Sequence, residues 1–204
     1  SDGWHYFSGS CAHLKGWLFT GGHWFYLDQT SGQMKSGWNK IDDSWYYFDG
    51  SGAMRTGWLL LGNTWYWLEP CGSMVTGFKS IGGTLYHFSE SGTMDSGWFI
   101  DNQTWYCAGA SGSIRTGWFY YGTNWYLLDS NNNGAMLEGF QTVNGVHYYL
   151  DSDNGGALKR NAWVFSQDDI AYYASDSGAI TPLGVRDREG AIKLKDDEGN
   201  NTLG

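Results

Sequence analysis

Residues 36–58 read SGWNKIDDSWYYFDGSGAMRTGW. Gly-Trp opens the stretch, Trp-Tyr-Tyr begins seven residues after the first Trp, Gly-Ala-Met comes next, and Gly-Trp returns at Gly57-Trp58. A packed core needs apolar residues, but it does not need the same aromatic triplet on a fixed beat. The spacing is therefore the signal, and an internal repeat of this kind decides the fold before any single motif does.

Three beats run in parallel along the chain. The Trp-Tyr position recurs at Trp4, Trp24, Trp45, Trp65, Leu85, Trp105 and Trp125, then at His147 and Ala171, in steps of 20 to 24 residues. The Gly-Trp position recurs at Trp17, Trp38, Trp58, Phe78, Trp98, Trp118 and Phe140, with Trp163 displaced. An apolar residue precedes each return: Leu14, Met34, Met54, Met74, Met94, Ile114, Met136, Leu158 and Ile180.

Each unit reads as a β-hairpin. Asp42-Asp43 supplies a two-residue turn that sets Trp38 opposite Tyr47 and Lys40 opposite Trp45. Side chains alternate faces along a strand, so Trp38, Trp45 and Tyr47 share one face while Tyr46 and Phe48 share the other. A lone hairpin is marginal in water. With both faces aromatic, the solution is to stack the front of one hairpin on the back of the next, giving an all-β solenoid of about nine hairpin units over residues 1–181. Residues 182–204 lose the aromatics, and Val185 to Lys195 is read as a polar capping hairpin followed by a tail.

Composition agrees. Thirteen Trp, 14 Tyr and 31 Gly against two Pro favour short strands joined by tight turns. A formal net charge of −9 makes nucleic acid and anionic membrane poor partners and suits an acidic surface that draws cations. No run of about 18 apolar residues predicts a transmembrane helix. No signal-peptide pattern is visible at Ser1, so the chain is read as a mature product or a segment of something longer. Cys11, Cys71 and Cys107 are odd in number and lack metal-ligand spacing. Cys11 and Cys71 stand where neighbouring repeats carry Ser, which reads as small residues filling turns.

Flat rings pressed between hairpins leave slots walled by indole and phenol faces, and such slots attract a quaternary ammonium. Each ring contributes about 0.5–2 kcal/mol. A three-ring slot then binds at roughly millimolar concentration, and several slots on one rod add up against a polymer.

The pattern Gly-Trp, Gly-x-Trp-Tyr-Tyr-x-Asp, Gly-x-Met-x-Thr-Gly-Trp resembles the choline-binding, or cell-wall-binding, repeat of Gram-positive surface proteins, autolysins and phage lysins. The end, ITPLGVRDREGAIKLK, is similar to the C-terminal hairpin of pneumococcal autolysins. The resemblance implies a left-handed solenoid of hairpins, secreted and held at the cell wall by choline on teichoic and lipoteichoic acids. It also implies cages formed by two Trp of one hairpin and a Tyr of the next, with Met or Leu nearby. Carried onto this sequence, the choline-binding cages are Trp17, Trp24 and Tyr46, then Trp38, Trp45 and Tyr66, then Trp58, Trp65 and Tyr86. After a gap follow Trp98, Trp105 and Tyr126, then Trp118, Trp125 and Tyr148. The face assignment chooses the first aromatic of each pair, while the second (Tyr47, Trp67, His87, Cys107, Leu127) remains the alternative.

Phe78 and Leu85 replace both Trp in one repeat, and Phe140 and His147 do so near the end, so those slots are expected to pack without ligand. With Tyr106 as its closing ring, the Gly77–Phe88 hairpin is then an unliganded joint. Glucan-binding repeats and toxin-type receptor-binding repeats are the competing readings. Recurrent Gly-Trp favours choline, because sugars need polar groups beside the ring platform. No nucleophile stands beside a held base, so catalysis is not expected and any catalytic or adhesin domain belongs outside this chain. His5, His87 and His147 read as packing substitutions. Asp and Glu cluster in turns, and the run Asp196-Asp197-Glu198 lacks spaced calcium ligands. No cofactor or metal is expected.

Overall fold

The computed structural model describes Tyr6, residues 14–186, residues 189–195 and residues 201–202. Trp4, His5, Cys11, His13 and Asp196-Asp197-Glu198 lie outside the described residues. The protein is all-β, built of hairpins, and divides into two compact units, Ser1–Ser96 and Gly97–Gly204.

Among the described residues, the first unit holds four antiparallel hairpins of five-residue strands. They are β1 (Gly16–Thr20) with β2 (His23–Leu27), β3 (Gly37–Ile41) with β4 (Ser44–Phe48), β5 (Gly57–Leu61) with β6 (Thr64–Leu68), and β7 (Gly77–Ile81) with β8 (Thr84–Phe88). Trp38 faces Tyr47 and Lys40 faces Trp45, the register expected from the turn. Asp42 and Asp43 take φ of 47° and 65°, the doubly left-handed geometry that matches the twist of the flanking strands. Aspartate tolerates it because its short polar side chain bonds locally.

The last residue of each second strand points inward, and Leu27, Phe48, Leu68 and Phe88 are all fully buried. Burying each side chain contributes about 1.5–3 kcal/mol. The stacking surfaces are those the alternation predicts. Trp17 of the first hairpin meets Tyr46 and Phe48 of the second, and Trp58 of the third meets Tyr86 and Phe88 of the fourth.

Between hairpins the chain makes a tight connector. Asp28 Oδ1 accepts the amides of Thr30 and Ser31, both at 2.9 Å, and Asp49 Oδ1 accepts those of Ser51 and Ala53 at 2.9 and 3.2 Å. The Lys35 ammonium, with those amides, holds the Asp28 carboxyl well below the usual carboxylate range, and the Ser51 hydroxyl leads in lowering Asp49. The connector then folds back as a single bridge, Leu27 to Met34 and Phe48 to Met54. It also reaches past its own hairpin to the one before: the amides of Met54, Met74 and Met94 donate to the carbonyls of Trp24, Trp45 and Trp65 at 2.8, 2.8 and 2.9 Å. Glycine is required at Gly72, where φ is +89° and a Cβ would sit 2.3 Å from the Met54 sulfur.

The second unit opens with the hairpin β9 (Gly97–Asp101) with β10 (Thr104–Ala108). Two three-stranded sheets follow. The first is β11 (Gly117–Tyr121), β12 (Asn124–Asp129) and β13 (Ala135–Met136). The second is β14 (Gly139–Val143), β15 (Val146–Asp151) and β16 (Ala157–Leu158), with a 3-10 turn at Ser152–Asn154. The unit ends in a five-stranded sheet of β17 (Ala162–Phe165), β18 (Ile170–Ala174), β19 (Ile180–Arg186), β20 (Ile192–Lys195) and β21 (Asn201–Thr202). The 181/182 limit drawn from the loss of aromatics falls inside β19, which pairs back with β18 and forward with β20. Backbone pairing ignores the change in side-chain character there. Among the described residues, no helix is long and apolar enough to cross a membrane.

Candidate functional site

Antiparallel pairing puts Trp17 and Trp24 on one face of the β1–β2 hairpin, each beside a cross-strand partner, Tyr26 and Phe19. The indoles stand edge to face at 6.2 Å, and Tyr46 from the next hairpin closes on Trp17 at 4.9 Å. These three rings, with Met54, Pro70 and Cys71, line a cavity of about 360 Å³. Trp38, Trp45 and Tyr66, with Met74, Glu90 and Ser91, line a second of about 330 Å³. In the third triplet Trp58 lies 5.8 Å from Trp65 and 5.0 Å from Tyr86.

The second unit repeats the arrangement. Trp98 lies 6.4 Å from Trp105 and 5.1 Å from Tyr126, and these rings with Tyr121, Met136 and Gly155 line a cavity of about 330 Å³. The fifth triplet is looser in its ring contacts. Trp118 meets Tyr148 at 4.9 Å, while Trp125 packs on its cross-strand neighbour Tyr120 at 5.2 Å.

The second-strand Trp residues are more exposed than a packed core requires. Trp24, Trp45, Trp65, Trp105 and Trp125 are 44, 42, 40, 43 and 38% exposed. A Trp chosen only to fill space would be buried, whereas these five are each about two-fifths exposed. The volumes lie at the small end of the range for ligand pockets, and their walls are apolar rings with few polar groups. Such a wall presents the negative face of a quadrupole, which attracts a cation that has no proton to donate.

Sequence reasoning did not identify the connector residues. Pro70 and Cys71 lie in the third connector after the Trp17 hairpin, as Glu90 and Ser91 do after the Trp38 hairpin and Gly155 after the Trp98 hairpin. The 20-residue beat, applied to connectors as well as rings, carries that signal. Cys71 occupies a turn as expected, yet it also lines the first cavity. Its Sγ lies 3.2 Å from the Ser73 hydroxyl, which lowers the thiol's pKa, while burial pushes the Cys107 thiol up.

The departing repeats carry other contacts. Phe78 packs edge-on against His87 at 4.5 Å, and His87 Nδ1 lies 2.7 Å from Asp95. His147 Nδ1 lies 2.8 Å from the Thr142 hydroxyl, Phe140 packs on Tyr149 and Tyr172, and Ala171 is fully buried. Among the described residues, no three His, Cys, Asp or Glu side chains converge as metal ligands.

A choline-binding repeat model matches residues 1–37 and 35–76, and a cell wall binding repeat model matches residues 76–94 and 138–153. The fold is similar to that of CbpJ from Streptococcus pneumoniae, with 36% identity and a TM-score of 0.79 over 87% of this chain and 61% of that one. It is also similar to choline binding protein F from the same organism, at 34% identity and a TM-score of 0.76 over 87% of this chain and 60% of that one. That protein has also been solved with a peptidoglycan analogue and in complex with ipratropium. The choline-binding domain of pneumococcal CbpL matches at 25% identity and a TM-score of 0.60, covering 93% of this chain and 98% of that one. The chain therefore spans about three fifths of the first two proteins. No curated protein matches it by sequence.

Proposed function

Because the chain belongs to the choline-binding repeat family, we propose that it is a non-catalytic module that recognises choline on teichoic and lipoteichoic acids of a Gram-positive cell wall. In this reading it is secreted and remains wall-associated. A quaternary ammonium enters each slot between two Trp of one hairpin and a Tyr of the next. The five slots are those of Trp17, Trp38, Trp58, Trp98 and Trp118, each with its second-strand Trp and the closing Tyr. The Gly77–Phe88 hairpin carries no slot, since Leu85 has no π face and Phe attracts a cation less than Trp.

The observation that carries the reading is the row of second-strand Trp residues held about two-fifths exposed. Ipratropium, found on the related choline binding protein F, is itself a quaternary ammonium compound, which suits the same chemistry. Each slot is weak alone, and a polymer bearing many choline groups engages several together.

The test is a choline titration followed by Trp fluorescence, beside an equal titration with soluble dextran. Saturable change with choline alone is the expected result, and a response to dextran alone overturns the proposal. Trp38→Ala and Trp45→Ala should each weaken retention on a choline resin, and the double variant should lose little more than either, because both rings wall one slot.

A further inference from the structure

The described cavities differ in the connector residues that line them: Pro70 and Cys71 in the Trp17 cavity, Glu90 and Ser91 in the Trp38 cavity, and Gly155 in the Trp98 cavity. Among these residues only Glu90 is a carboxylate. Glu90 is exposed, and among the described residues no ion-pair partner engages it. The other charges nearby are accounted for: Lys40, cross-strand from Trp45, lies 3.4 Å from Asp43. Asp176 holds the corresponding place in the third connector after the Trp125 hairpin, but Arg160 and Asn161 already occupy its carboxylate, each at 3.1 Å.

Ring faces attract any compact cation, and an N–H aimed at a ring adds only a weak contact. A carboxylate adds a strong one, because a protonated amine can donate a hydrogen bond to it while a quaternary ammonium cannot. We propose that Glu90 makes the Trp38–Trp45–Tyr66 slot a second kind of site, which takes N–H-bearing ammonium groups as well as quaternary ones. The Trp17 and Trp98 slots, rimmed by Pro70-Cys71 and Gly155, discriminate in favour of the quaternary group. The inference rests on the cation-slot reading above. It assigns to Glu90 the choice between the two classes of amine.

The experiment uses the full chain labelled with 5-fluorotryptophan and followed by fluorine NMR. The Trp24 and Trp45 resonances are assigned through Trp24→Phe and Trp45→Phe. Choline and N,N-dimethylethanolammonium, which is protonated at neutral pH, are titrated into wild type and Glu90→Gln. The dimethyl compound should bind the Trp45 slot about fivefold more tightly than the Trp24 slot, the scale of one exposed charge-assisted contact. Glu90→Gln should erase that margin and change choline binding at Trp45 by less than about twofold. Pro70→Glu should confer the margin on the Trp24 slot, which tests the idea without touching the Trp45 slot. If choline moves both resonances and neither variant alters the response to the dimethyl compound, the role of Glu90 is overturned while the cation slots stand. If neither ligand moves either resonance, the slots themselves fall, and this inference with them.

Discussion

Hairpin β5–β6 carries Trp58, Trp65 and Trp67 where hairpin β7–β8 carries Phe78, Leu85 and His87. Their backbones pair in the same register, Gly57 to Leu68 in one and Gly77 to Phe88 in the other, with a two-residue turn in each. Both end in a fully buried residue, and both send on a connector whose Met bridges back, Leu68 to Met74 and Phe88 to Met94. The ring face has been rewritten while the frame has not moved. Glycine, the inward residue and the connector turn specify the frame, and none of them is a ring of the slot. The rings can therefore change without the frame, although frame residues such as Met74 also line a cavity.

The sharpest way to break that comparison is to attack the frame in both hairpins. Leu68→Ala and Phe88→Ala should each lower stability by about 2–5 kcal/mol, since both empty a fully buried position. Denaturant unfolding should show similar losses in both, whatever rings lie above. A large loss in one hairpin alone would mean that the rings share in the frame.

Converting one ring face to the other comes next. Trp65→Leu gives the β5–β6 hairpin the second-strand residue of its neighbour. Because Trp65 is 40% exposed, we expect folding to survive, with one choline fewer at saturation and about 1–2 kcal/mol lost at that slot. Equilibrium dialysis counts the sites. Leu85→Ala should leave that count unchanged, and in a crystal soaked with choline we expect density beside Trp65 and Trp105 and none beside Leu85.

A smaller effect separates the connectors. Asp28 and Asp49 open theirs with a carboxylate, whereas the connector after Phe88 opens with Ser89, whose hydroxyl lies 2.9 Å from that of Ser91. Folding holds both carboxyls below their ordinary value. Their contribution is therefore complete above about pH 4 and is lost as the pH falls through the lower, folded values. Asp49→Ala should cost about 1 kcal/mol at pH 7, as loss of a cap does, and flatten the acid limb of stability. Ser89→Ala should leave the acid limb as it was. Thermal unfolding from pH 7 down to about pH 2 distinguishes them.

The smallest effect is chemical. Cys71 lies in the connector that leaves the β5–β6 hairpin and lines the Trp17 cavity, with a thiol acidified by Ser73, while Cys107 is buried with its thiol pushed up. A maleimide should label Cys71 well ahead of Cys107. Saturating choline should slow the Cys71 reaction a few-fold, and an unchanged rate would remove Cys71 from the wall of the slot.

Much of this was legible in the sequence because a two-residue turn leaves no freedom of register. Once Asp42-Asp43 is placed, Trp38 must oppose Tyr47, and alternation then sends Tyr46 and Phe48 toward Trp17 of the previous hairpin. The face argument was enough to bring Tyr46, Tyr66 and Tyr126 to their cavities. It did not reveal Pro70, Glu90 or Gly155. Those residues meet the rings through the rise of one hairpin over the next, a distance that hairpin logic does not contain. The 181/182 limit, drawn from aromatic content, falls within a strand for a related reason. Aromatic content reports what a strand packs against, and Ile180–Arg186 goes on pairing after its aromatics have ceased.

The backbone bonds from Met54, Met74 and Met94 span 30, 29 and 29 residues. Where these bonds recur the span holds to within one residue, because a longer connector would carry the amide past its acceptor. The pattern does accommodate the gain of an entire repeat, which arrives with its own Met, its own Trp carbonyl and its own slot. A chain of this kind can therefore be lengthened or shortened by whole repeats, changing the number of ring triplets in integer steps. Within each repeat the rings can differ over one frame, as Phe78 with Leu85 does beside Trp58 with Trp65.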